Sequence, residues 1–99
     1  MPLFVISWRD KPGSLDLRMA NREAHLAYVH GQDGRVKLGG PYLDEEGRMS
    51  GSLIIYEADS LEAAQAFHAQ DPYKLAGLFE TSTVTPWRLT TESFSGKGS

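Results

Sequence analysis

Three groups of residues in this sequence have types and spacings that suit chemistry. The first is Arg18, Arg22 and His25, set four and three positions apart. On a helix such spacings place side chains on one side. Two guanidinium groups beside an imidazole suit an anion or an oxygen-rich ligand. The imidazole itself can take up or give a proton near neutral pH. The same pattern also describes a plain amphipathic helix with charges at its rim. The second group is Asp71-Pro72. Aspartate before proline is a good helix N-cap, with proline at the first helical position. A carboxylate can also orient an imidazole by accepting its ring N–H. The third group is Gly39-Gly40-Pro41. Two positions without side chains can bring backbone N–H groups to a ligand, Gly40 among them, or can make a tight turn. Ser7 and Ser52 are further polar candidates, and neither sits in a nucleophile-elbow motif.

Other chemistry is excluded by what the chain lacks. There is no cysteine, so there is no disulfide framework, thiol nucleophile or cysteine metal site. His30 and His68 stand alone, and no His/Asp/Glu spacing matches a metal site, so no metal is expected. No Gly-Lys-Ser/Thr follows the glycine pair, so it is not a phosphate loop. Ten basic against 13 acidic residues give a net charge of −3, with the basic ones scattered. A nucleic-acid binder shows a basic face, which this chain does not. The N-terminus lacks a basic leader pattern, and no apolar run nears the roughly 20 residues that cross a bilayer. A cytoplasmic protein without membrane contact is the expectation.

The elements that must position these groups can be read from pattern. Leu3 to Trp8 is an apolar, β-branched and aromatic run, a strand expected to be buried on both faces. Leu15 to Gln32 reads as a long helix, with Ser14 or Asp16 as its cap and Leu15, Met19, Leu26 and Val29 as its apolar stripe. Arg18, Arg22 and His25 then fall on the border of that stripe. Arg35 to Gly39 is a brief strand that the Gly-Gly-Pro run should end, and Ser52 to Glu57 is its hairpin partner. Leu61 to Ala69 reads as a helix facing inward through Leu61, Ala64 and Phe67, with Asp59 and Glu62 at capping-box spacing. A short turn after Asp71 and a threonine-rich strand from Phe79 to Trp87 complete the order.

That order is β-α-β-β-α-β, the ferredoxin-like pattern of an α+β sandwich, in one domain over residues 2–88. The serine- and glycine-rich stretch over 89–99 reads as a mobile tail. Helices on one face of the sheet leave the other apolar face open. The simplest cover is a second copy, so a homodimer is expected.

Taken together the motifs resemble those of the YciI-like, or YCII-related, family. Arg18-Met19-Ala20-Asn21-Arg22-Glu23-Ala24-His25-Leu26 is similar to its R-x-x-x-R-x-x-H-L helix. Gly39-Gly40-Pro41 and Gly51-Ser52 resemble its second strand end and third strand start. Asp71-Pro72-Tyr73-Lys74-Leu75-Ala76-Gly77-Leu78 resembles its D-P-Y-x-x-A-G-[LV] segment, and Pro86-Trp87 its closing pair. The resemblance implies a dimeric α+β barrel with an active-site cleft. It maps the family's histidine and aspartate onto His25 and Asp71, its helix arginine onto Arg22 and its serine onto Ser52. It further implies a cofactor-free enzyme, lyase- or hydrolase-type, acting on a small oxygenated metabolite by His/Asp acid–base chemistry. One relative of that kind removes chloride from a chlorinated hydroxyhydroquinone. A small-molecule-binding or accessory dimer without catalysis is the alternative.

Overall fold

The computed structural model of the chain describes residues 2–93. Its elements are β1 (Leu3–Asp10), α1 (Leu15–His30), β2 (Val36–Leu43), β3 (Met49–Glu57), α2 (Leu61–Ala69), α3 (Pro72–Leu75) and β4 (Phe79–Trp87). The strands form one sheet in the order β2-β3-β1-β4. All three pairings are antiparallel. This is the ferredoxin-like α+β fold read from the sequence. No described helix is long and apolar enough to cross a membrane.

In β1, Phe4, Ile6 and Trp8 are buried while Leu3, Val5 and Ser7 are half-buried. The strand is therefore buried on one face within the chain, not on both. The helices cover that face alone, so the period-two alternation of a strand sorts the residues. Ser7 lies on the opposite face, 2.8 Å from the Tyr42 hydroxyl. It is thereby removed from the site.

The first helix is turned differently from its apolar stripe. Its two buried residues are Arg18 and His25, whereas Met19 is 50% exposed. Polar partners waiting on the sheet and on α3 make this rotation favourable, and hydropathy alone cannot see them. Its N-cap is Ser14, whose side chain makes no capping bond. The second helix is capped by Ser60, whose hydroxyl accepts from the Ala63 N–H at 3.1 Å, so Asp59 is not its cap. Ala64 and Phe67 face inward as expected, with His68 beside them.

Gly39-Gly40-Pro41 does not end β2, which runs on to Leu43. Gly39 pairs with Ile54 and Pro41 with Ser52. Proline is tolerated there because β2 is an edge strand, so its missing N–H breaks no outer ladder. Residues 88–93 have no regular structure. The rest of the expected tail, 94–99, lies outside the described residues.

Candidate active site

Asp71 is the point where chain-local chemistry and long-range packing meet. Its backbone is extended, Pro72 follows at the first helical position, and Oδ1 accepts the Tyr73 N–H at 2.9 Å. It is therefore a true cap of α3. The side chain is also fully buried, so its remaining acceptor capacity needs an internal donor. That donor is His25. Its Nδ1 lies 2.9 Å from Oδ1 and 3.0 Å from Oδ2. The two readings of Asp71, cap and imidazole partner, hold at once in geometry. A neutral imidazole that donates from Nδ1 carries its lone pair on Nε2. The ring is held in plane by Tyr73, stacked at a centroid distance of 4.0 Å and 14°.

His25 lines a cleft of about 300 Å³ between α1 and the β2–β3 edge of the sheet. Arg18, Arg22, Ser52, Gly40 and Tyr73 line it, together with the apolar Leu26, Val29, Val36 and Ile54. No acidic side chain is among the described residues lining it. Arg18, Arg22, His25, Gly40 and Ser52 therefore line this cleft and Asp71 holds His25, whereas the candidate Ser7 lies elsewhere.

Their circumstances differ. Arg18 is 3% exposed and heavily engaged. Its Nε donates to Asp10 Oδ2 at 2.8 Å, and its Nη2 donates at 2.9 Å to both the Gly51 carbonyl and Ser52 Oγ. A buried guanidinium needs such a partner set to offset its desolvation. Arg18 thus shapes the cleft wall and holds Ser52 more than it waits for a ligand. Arg22 is exposed at the rim and makes no ion pair among the described residues. Gly40 has open space where a Cβ would stand. The neighbouring Gly39 is the constrained one, since a Cβ there would meet Ile54 Cγ1 and the Leu53 carbonyl at 3.2 Å. A side chain at Gly39 would stand in the cleft floor. Among the described residues no cluster of three His, Asp or Glu gathers in a way that could hold a metal.

The YCII-related domain profile matches this chain over residues 2–88. The chain belongs to the YCII-related family. Protein YciI of Escherichia coli O6:H1 is 38% identical over 94 residues, covering 87% of this chain and 96% of the relative. Among solved structures, 5-chloro-2-hydroxyhydroquinone dehydrochlorinase from Burkholderia phenoliruptrix, in complex with 2,5-dihydroxybenzoquinone, is 38% identical. It superposes with a TM-score of 0.80 over 87% of this chain and 93% of that one. An antibiotic biosynthesis monooxygenase shares the fold alone, at 12% identity and a TM-score of 0.57, over 92% and 100% of the two chains.

Within this YCII-related chain, the sequence pattern does not single out Asp10 or Tyr73 for the site. Asp10 carries no local signal, because it pairs with Arg18 only through packing. Tyr73 did carry one: it is the second residue after a cap, on a segment already tied to a candidate carboxylate. His68 is buried, and neither ring nitrogen has a partner among the described residues. It stacks on Trp8 and Phe79, at 5.6 and 5.0 Å between centroids.

Proposed function

We propose that this protein is a cofactor-free enzyme that moves a proton on a small oxygenated metabolite, anionic or aromatic in character. His25 is its base and Asp71 the group that orients it. One observation carries the reading. The Nδ1 of His25 is held by a buried carboxylate, while the ring borders a cleft walled by hydrogen-bond donors. Nε2 takes a proton from the ligand. Negative charge then develops on ligand oxygen, and Arg22 and the Ser52 hydroxyl stand where they can stabilise it. The proton is returned at another atom, or a leaving group departs from the adjacent carbon. The 38% identical dehydrochlorinase, bound to a dihydroxybenzoquinone, supports a planar oxygenated ligand of this size. A chain without cysteine suits the reducing cytoplasm, where we place this chemistry.

Turnover should be sought with catechols, hydroxyquinones and small lactones. His25→Ala should lower it by about 10²- to 10⁴-fold, the usual contribution of a positioned acid–base group. Turnover untouched by this change removes His25 from the mechanism. Saturable binding with the ligand recovered unchanged by mass spectrometry marks a binding or accessory module instead.

The open sheet face is the second part of the reading. Leu3, Val5 and Leu53 are half-buried there, and Leu38 and Trp87 are 48% and 41% exposed. A second copy placed face to face would cover them. Val5→Asp should then shift the protein from dimer to monomer in sedimentation velocity. A wild-type monomer at micromolar concentration rules the pairing out.

A further inference from the structure

Tyr73 is a buried cleft residue to which the acid–base reading assigns no task. It is 1% exposed and fixed on several sides. Its backbone N–H is bound to Asp71, its ring lies flat on His25, and the Arg18 guanidinium carbon stands 4.8 Å from the ring centroid. Trp8 meets it edge-on at 6.2 Å. A ring held in this way has little freedom to turn. Its hydroxyl makes no hydrogen bond to any described residue, and Tyr73 lines the cleft. A polar group at a buried position is ordinarily satisfied, so an unpartnered hydroxyl on a fixed cleft-lining residue points to a ligand partner.

We propose that Tyr73 is a ligand-binding residue whose hydroxyl donates a hydrogen bond to a negatively charged oxygen of the ligand, a phenolate or enolate. This rests on the small-oxygenated-ligand reading above and names the ligand's charge class. The donor balance of the cleft agrees with it. Ser52 Oγ accepts from Arg18, which leaves the Ser52 proton to give outward. Arg22 offers further donors at the rim. With Nδ1 donating to Asp71, the acceptor that His25 offers is Nε2. Such an array suits a ligand rich in acceptors with one acidic proton. Burial raises the Tyr73 phenol above its ordinary value of 10.0, with Arg18 and Arg22 opposing, so the hydroxyl keeps its proton at neutral pH and acts as a donor.

The test uses the full chain, Tyr73→Phe, and 4-nitrocatechol as a chromogenic probe, titrated by its visible spectrum over a range of pH. Wild type should bind the ionised probe. The variant should bind it about 10- to 100-fold more weakly, the worth of one hydrogen bond to a charged oxygen. The loss should vanish at pH values where the probe is neutral, which a merely structural role would not produce. The His25 ring proton signal in NMR should stay in place, because the ring stack is retained. Equal affinity of the two proteins for the ionised probe overturns the Tyr73 assignment and leaves the His25 base standing. Wild type that does not bind the ionised probe overturns the charge class and Tyr73 with it. The His25 reading is decided separately, by turnover of His25→Ala.

Discussion

Two histidines lie at nearly the same depth in this protein, within one aromatic cluster. His25 is 8% exposed and His68 is 7%. Both contact Trp8, His25 edge-on and His68 stacked. Asp71 influences both. The difference is one hydrogen bond. Asp71 accepts from His25 Nδ1, whereas His68 feels the carboxylate only through space. For His68 burial dominates and lowers its proton affinity, although Asp71 acts in the opposite direction. It is held as a neutral aromatic filler. His25 has one nitrogen anchored and the other free for a cleft. Depth alone therefore does not distinguish the two imidazoles; a bonded carboxylate and a cleft do.

Removing the shared carboxylate should break this contrast most strongly. Asp71→Ala deletes a helix cap, worth about 1 kcal/mol. It also leaves the His25 donor buried without a partner, at about 1–3 kcal/mol. A combined loss of about 2–4 kcal/mol should appear in urea unfolding. A loss under about 0.5 kcal/mol would mean that water or another group replaces the carboxylate, within the range of ordinary surface changes.

Acid should sharpen the contrast from the His68 side. Its folded-state affinity for protons lies below that of a free imidazole, whose ordinary value is 6.5. The unfolded chain therefore binds the proton better. Stability is fully present above that ordinary value and falls as pH drops below it, toward the lower folded-state value. The melting temperature of wild type should decline between pH 7 and pH 5 more steeply than that of His68→Phe. Parallel curves would show that His68 accepts its proton inside the fold without penalty.

The smallest stability effect belongs to Asp71→Asn. Asparagine caps as well as aspartate, so unfolding should shift by less than about 1 kcal/mol. Its amide can present N–H to the imidazole, which reverses the ring's hydrogen-bond role. Nitrogen-15 NMR should then show His25 carrying its proton on the other nitrogen, and turnover should fall. Unchanged tautomer and unchanged turnover would leave Asp71 with its capping role alone.

Much of this was legible in the chain itself, for reasons that are local. The apolar, β-branched and aromatic run Leu3–Trp8, a long stretch without Pro or Gly after Leu15, and Asp71-Pro72 each specify backbone shape within a few residues. Their order names the ferredoxin-like fold. Asp59 and Ser60 offer the same capping chemistry one position apart, and only the bond to Ala63 separates them. A Gly-Gly-Pro run reads as a stop to the second strand. On a sheet edge it is tolerated, and the bare Gly39 keeps the cleft floor open.

Residue types and short-range pattern by themselves decided the element order, the cap at Asp71 and the presence of an imidazole and two guanidinium groups on one helix. Tertiary packing decided which side of that helix turns inward. Periodicity counts polar residues as solvent-facing, because in isolation charge is more stable in water. Arg18 and His25 turn inward since Asp10, Gly51, Ser52 and Asp71 meet them there, each brought from another element. Those partners lie between 8 and 46 residues away. No local rule can pair them, and the site exists only once the sheet and its helices have closed.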